Sequence, residues 1–147
     1  MAGNAQGLLL VAEDSDEDFE ILEYLMRELN VQNPIYRCED GREILEFLQI
    51  DKNELRPPKS MPAVILLDLN MPGIDGRQVL TLLKQDEAFQ EIPVVVLTTS
   101  MNPQDIDFCY QQGANGYLIK PMDMDDLETT IRAFIGFWLE VNIPPQR

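Results

Sequence analysis

The sequence predicts an α/β domain: a doubly wound, five-stranded parallel sheet with helices on both faces. Three observations carry that prediction. Short apolar runs alternate with segments whose apolar residues recur at helical spacing. The run Ala63 to Leu67 is apolar throughout and does not alternate, so its strand is covered on both faces, as in a parallel sheet. Acids, hydroxyls or a lysine follow four of the runs, where ligands bind in sheets of this kind.

The first strand runs from Leu8 to Ala12. Ser15 is an N-cap, and Asp16, Glu17 and Asp18 fill a first helical turn where the helix dipole favours acids. Phe19, Leu22, Leu25, Met26 and Leu29 stripe that helix, and Asn30 ends it. Ile35 to Glu39 is the second strand. Ile44, Leu45 and Leu48 stripe a second helix after Asp40-Gly41. The polar stretch from Asp51 to Pro62, with three prolines, is a surface loop, where extra length costs little. Ala63 to Leu67 is the third strand, Met71-Pro72-Gly73 a turn, and Val79, Leu80 and Leu83 the core face of a third helix. Pro93 to Leu97 is the fourth strand. Pro103 opens a fourth helix with Ile106, Cys109 and Tyr110 on one face, and Gly113 closes it. Gly116 to Ile119 is a short fifth strand. A last helix runs from Met124 to about Val141, with Leu127, Ile131, Phe134, Ile135 and Trp138 inward, and Pro144 and Pro145 stop it.

Composition narrows the functions. The chain has 147 residues, of which 45% are apolar and 25% charged, enough to bury one core without disulfides or metal staples. No apolar run reaches the roughly 18 residues of a membrane span, and no signal-like leader opens the chain. Two cysteines make no disulfide scaffold, so a reducing, cytoplasmic compartment is expected. A formal net charge of −15 repels phosphate backbones and argues against direct nucleic-acid binding. The sequence contains 0 histidines, which removes the commonest general base and zinc ligand.

The chemistry sits after the strands. Glu13 and Asp14 follow the first, Asp68 and then Asn70 the third, Thr98 and Thr99 the fourth, and Lys120 the fifth. Alone, each is an ordinary turn, cap or strand-end residue. Together they place three acids, a hydroxyl and an ammonium on one rim. Clustered carboxylates repel, and a hard divalent cation such as Mg2+ relieves them through one or two carboxylates and water. Asp14 and Asp68 supply the carboxylates, Glu13 acts through water, and the Asn70 carbonyl adds an oxygen. Lys120 has no place in a pure cation cage, but fits if an anion is also bound there. A phosphoryl group satisfies the whole set, with Thr98 donating a hydrogen bond to it. Asp68, on the central strand, is then the nucleophile that forms an aspartyl phosphate.

With Val11-Ala12-Glu13-Asp14-Ser15, the run Ile65 to Gly76, Pro93 to Ser100, and Gly113 to Pro121, the chain resembles the receiver domain of bacterial two-component response regulators. The spacings between Asp68, Thr98 and Lys120 agree with that family. The resemblance implies a flavodoxin-like strand order, 2-1-3-4-5. It implies that Asp68 takes a phosphoryl group from a phosphohistidine on a partner sensor histidine kinase. It implies that Asp14, Asp68 and the Asn70 carbonyl ligate Mg2+ or Mn2+ with Glu13 assisting, and that Thr98 and Lys120 contact the phosphate. Tyr117 matches the family's switch aromatic: Thr98 is drawn to the phosphate and Tyr117 rotates into the space left. Thr99 stands where the family commonly has a small residue, and Ser100 lacks the acid or amide that can align a water.

The whole chain reads as one receiver domain, with a core over about 7–135 and a C-terminal extension over about 136–147. Phe137, Trp138 and Val141 add apolar area beyond the core face, and the tail resembles that of small regulators paired with phytochromes. That resemblance implies a homodimer through the last helices, with Tyr117 on the same interaction surface, and makes a phytochrome a candidate kinase. With no output domain following, output is expected through protein contacts or onward phosphotransfer. The competing reading is a degenerate receiver that binds a partner independently of phosphorylation. An aspartyl-phosphate hydrolase of the haloacid dehalogenase type needs an acid where Asn70 stands, and a flavin carrier would not place Glu13 and Asp14 against a phosphate.

Overall fold

The computed structural model describes residues 7–48 and 61–146. Of the predicted surface loop, only its end near Pro62 falls inside that range; Asp51 to Ser60 lies outside the described residues. Along the chain come β1 (Leu8–Ala12), α1 (Asp16–Glu28), β2 (Ile35–Cys38), α2 (Gly41–Leu48), β3 (Pro62–Leu67), α3 (Gly76–Gln85), β4 (Val94–Thr98), α4 (Pro103–Gln111), β5 (Gly116–Ile119) and α5 (Met124–Phe134). A π-helical segment, Ile135–Val141, continues α5. The strands form one five-stranded sheet in the order β2-β1-β3-β4-β5, every pair parallel. That is the predicted class and order.

The local signals act as read. Ser15 accepts a hydrogen bond from the Asp18 amide at 3.2 Å, capping α1 above its acidic first turn. Asn30 follows that helix with φ at 60°, a left-handed conformation that asparagine tolerates better than other non-glycine residues. Pro62 opens β3, where a missing amide donor does no harm.

The sheet is apolar on both faces because helices cover both. Leu10, Ile65 and Val96 point to one layer, formed by Ile44 and Leu48 of α2, Val79 and Leu83 of α3, and Cys109 of α4. Leu9, Val64, Leu66 and Val95 point to the other, against Leu22 and Met26 of α1, Ile131 and Phe134 of α5, and Leu139. Alternate residues of one strand therefore feed opposite cores.

One inward assignment and the form of the last helix differ from expectation. Tyr110 is half-exposed; the buried stripe of α4 is centred on Phe108 and Cys109, and Tyr110 lies about 100° further round the helix. The last helix reaches Val141 as expected, but it changes form at Ile135. Wider turns, bonded i→i+5 as in Asn142 N–H to the Phe137 carbonyl at 2.6 Å, bring residue i+4 under the same face. Leu139 thus follows Ile135 into the core, 2% exposed. Trp138, half-buried, packs against the same core as expected and lies edge-on to Phe137 with ring centroids 4.8 Å apart.

Candidate functional site

The order β2-β1-β3 reverses the chain's direction of travel across the sheet between β1 and β3, and the acids sit at that point. Ala12 is in register with Leu67, and the Asp68 amide donates to the Ala12 carbonyl at 3.0 Å, so Glu13 and Asp68 emerge side by side. Thr98 pairs with Ile119, which delivers Thr98 and Lys120 from neighbouring strand ends. The start of α3 seals the back: the Gly76 amide donates to the Leu69 carbonyl at 2.9 Å, and any Cβ at Gly76 would collide with the Asp68 carbonyl. Glycine there lets α3 approach the strand end that carries Asp68.

Glu13, Asp14 and Asp68 each offer a carboxylate oxygen, and those oxygens lie within 4.8 Å of one another. Glu13 and Asp68 are buried while Asp14 is exposed. The Lys120 Nζ lies among the acids, 2.6 Å from Glu13 Oε1 and 2.9 Å from Asp68 Oδ2. It also reaches Asp18 Oδ2, at 3.0 Å. The Asn70 backbone N–H donates to Asp68 Oδ1 at 3.1 Å. Thr98 is fully buried, and its hydroxyl oxygen accepts only long hydrogen bonds, from Asn70 Nδ2 at 3.5 Å and the Ser100 amide at 3.4 Å.

The electrostatics follow from burial. Burial pushes the Glu13 carboxyl up to about 7; the Lys120 hydrogen bond opposes this, and the neighbouring Asp68 adds to it. At Lys120 burial pulls the other way, but the Glu13 hydrogen bond and the Asp68 charge outweigh it and hold the ammonium above its ordinary range. The two results differ because Lys120 faces several carboxylates, whereas Glu13 has one cation and a like charge beside it. Four acids around one ammonium leave an excess of negative charge. The donor set, all hard oxygens, fits a small divalent cation such as Mg2+ or Mn2+.

Beyond the rim, Tyr117 is half-buried and its hydroxyl donates to the Ser100 carbonyl at 2.9 Å. Ser100 in turn donates from its hydroxyl to Asp105 Oδ2 at 2.6 Å, and Arg77 Nε donates to Asp105 Oδ1 at 2.9 Å. Those two hydrogen bonds, Arg77 first, hold the Asp105 carboxyl below its ordinary range. Thr99, beside Thr98, is exposed.

The sequence matches the response regulator receiver domain family over residues 9–132. The chain belongs to that family. This receiver is 36% identical over 142 residues to the response regulator Rcp1 of Synechocystis sp., spanning 96% of this chain and 95% of that protein. It is 34% identical over 138 residues to a probable methanogenesis regulatory protein, FilR2, of Methanothrix harundinacea, spanning 94% of this chain and 87% of that one. The crystal structure of Mn2+-bound Rcp1 superposes with a TM-score of 0.85 at 35% identity, covering 95% of this chain and 99% of that one. That of the phosphorylated cyanobacterial phytochrome response regulator RcpA gives 0.86 at 31% identity, covering 96% and 99%.

Every rim residue expected from the sequence comes to one place: Glu13, Asp14, Asp68, Asn70, Thr98 and Lys120. Asp18 was missed as a member of the site. It reads as a first-turn helix acid, and because Asp14 lies before the N-cap Ser15, no helical spacing ties the two together. Asp105 and Arg77 were also missed, since nothing in the sequence spacing brings α3 and α4 side chains to Ser100. Of the tail residues, Phe137 and Val141 are exposed, at 49% and 71%, while Trp138 is half-buried. Among the described residues, no helix is long and apolar enough to cross a membrane.

Proposed function

We propose that this receiver is a phosphoacceptor, with Asp68 taking a phosphoryl group from a phosphohistidine of a partner sensor histidine kinase. The observation that supports this most is the contact of Lys120 with both Glu13 and Asp68, beside a fully buried Thr98 on the next strand. A carboxylate oxygen of Asp68 attacks phosphorus, the P–N bond breaks, and its electron pair leaves on the imidazole nitrogen of the donor. Lys120 neutralises charge on the transferring oxygens, and the Asn70 amide orients the Asp68 carboxylate. A divalent cation held by Asp14, Asp68 and the Asn70 carbonyl, with Glu13 assisting, would supply further charge neutralisation.

The hydroxyl of Thr98 has only weak partners, so a phosphoryl oxygen recruits it at little cost. Thr98 lies two residues from Ser100, whose carbonyl holds Tyr117. A shift of Thr98 therefore displaces the acceptor that fixes the Tyr117 ring, which supports Tyr117 as the switch. The chain then acts as one domain over 1–147, with a core over about 7–135 and a tail over about 136–147 whose exposed Phe137 and Val141, beside Trp138, suit a homodimer contact. A cytoplasmic setting and a phytochrome-type kinase go with this reading, the latter through the likeness to RcpA.

Acetyl phosphate with Mg2+ is expected to add one phosphoryl group to the wild type and none to Asp68→Asn, read by intact mass. A stable phosphoryl group on Asp68→Asn overturns the acceptor; a wild type that takes none is instead a phosphorylation-independent binding module. A phosphotransfer profile against histidine kinases, a phytochrome kinase included, identifies the donor.

A further inference from the structure

A lysine ammonium has three N–H donors. Those of Lys120 are matched by three carboxylates: Glu13 at 2.6 Å, Asp68 at 2.9 Å and Asp18 at 3.0 Å. An arriving phosphoryl donor meets no spare N–H. One of the three has to be released before Lys120 can bind a phosphoryl oxygen. Exposure decides which one. The side chains of Glu13 and Asp68 are 3% and 8% exposed, while that of Asp18 is 46% exposed. Releasing a buried carboxylate strands its charge in a medium that solvates it poorly. Asp18, at the first turn of α1, rehydrates instead. It also makes the longest of the three contacts.

We propose that Asp18 restrains phosphoryl acceptance: its carboxylate occupies the third donor of Lys120 and adds negative charge where the phosphoryl group must arrive. Asp18 is thus a positioning residue, acting on the reaction through Lys120. This rests on Asp68 as the phosphoacceptor. The sequence does not require the feature, since an N-terminal helix acid is favoured by the dipole at Asp16 or Glu17 as well as at Asp18. Only Asp18 of these three contacts Lys120 in the structure.

The test uses phosphoramidate, a small donor needing no partner kinase, at one saturating Mg2+ concentration. The transfer forms the Asp68 Oδ–P bond and breaks the P–N bond, with ammonia leaving. Asp18→Asn keeps the shape but exchanges a charged acceptor for a neutral one; Asp18→Ala removes the acceptor. A half-exposed ion pair is weak, so the rate of phosphorylation is expected to rise roughly three- to fivefold in both. The gain should appear mainly as a lower half-saturating phosphoramidate concentration. Asp18→Glu should return the rate toward wild type. Glu17→Gln, which removes the same charge one residue away, should change the rate by less than about twofold.

A second readout needs neither metal nor donor. Exchange of the Lys120 ammonium protons with water, followed by NMR, should quicken in Asp18→Ala and remain as in the wild type in Glu17→Gln. Unchanged rates in both Asp18 variants, or an equal gain in Glu17→Gln, overturn the proposal. The two readings fail separately: phosphorylation of Asp68→Asn removes the acceptor, whereas a silent Asp68→Asn with inert Asp18 variants removes only the role of Asp18.

Discussion

Replacing Glu13 with glutamine should stabilise the metal-free protein at pH 8 and leave it nearly unchanged at pH 5. Glu13 lies buried beside Asp68, and its carboxyl is pushed from the ordinary 4.5 up to about 7, chiefly by burial. A raised carboxyl pKa means the fold holds a proton that the unfolded chain has already released. Stability from this group is therefore intact below pH 4.5 and declines as pH rises toward 7. At about 1.4 kcal/mol per pKa unit the loss is about 3 kcal/mol. Lys120 does not blur the window: its raised pKa contributes stability that is constant below its unfolded value, far above pH 8. Urea unfolding with EDTA at pH 5, 6, 7 and 8 gives the two stability curves. They should nearly meet at pH 5 and diverge by about 3 kcal/mol at pH 8. Mg2+ should lift the wild type at pH 8 more than Glu13→Gln, because a cation replaces the proton that Glu13 has lost. Parallel curves across the range would refute the argument that burial, and not Lys120, dominates at Glu13.

Lys120→Met leaves Glu13 and Asp68 buried without their cation and should lower stability by about 3 kcal/mol at pH 8, less at pH 5, in the same urea assay; equal losses at both would show that the charges do not face each other. It should also slow phosphorylation by acetyl phosphate. Cys38 and Cys109 are fully buried, with thiols pushed up by burial to about 12 and 11, so iodoacetamide at pH 8 should label neither in the folded protein and both in urea. Prompt native labelling of either would show that its core layer opens. Phe137→Ala should weaken self-association about tenfold in analytical ultracentrifugation; an unchanged profile removes the tail from the interface.

The sheet was legible because most of its strands are short apolar runs, and the site was legible because doubly wound sheets place chemistry after the strands. Glu13, Asp68, Thr98 and Lys120 needed only the strand ends to be right within a residue. Side-chain direction was harder. Ile106, Cys109 and Tyr110 satisfy helical spacing as well as Phe108 and Cys109 do, and nothing local says which pair meets the sheet. The turn from α to π at Ile135 has no local signature in Ile135-Gly136-Phe137-Trp138. It buries Leu139 fully while Trp138 packs half-buried against the same core, and tertiary packing made that choice. Asp18 belongs to the same class: its sequence position explains a helix start, and only the reach of Lys120 from β5 makes it part of the rim.

That difference bears on how the rim works. Four carboxylates and one ammonium give the site an excess of negative charge, yet the phosphoryl group it is proposed to receive is itself an anion. The arrangement is stable without a phosphoryl group only because Glu13 holds a proton readily and because Lys120 is shared. In the proposed reaction it would become receptive when those two supports are displaced in turn. Under the proposed function, a divalent cation held by Asp14, Asp68 and the Asn70 carbonyl would replace the Glu13 proton as counter-charge, and the incoming oxygen would take the place of Asp18 on Lys120. The buried members, Glu13 and Asp68, keep the geometry through both exchanges; the exposed members, Asp14 and Asp18, face solvent and can rearrange. Burial thus divides the acids into fixed and exchangeable ones. It follows that substitutions at Glu13 should act on stability and metal affinity, and substitutions at Asp18 on the rate of acceptance with stability little changed.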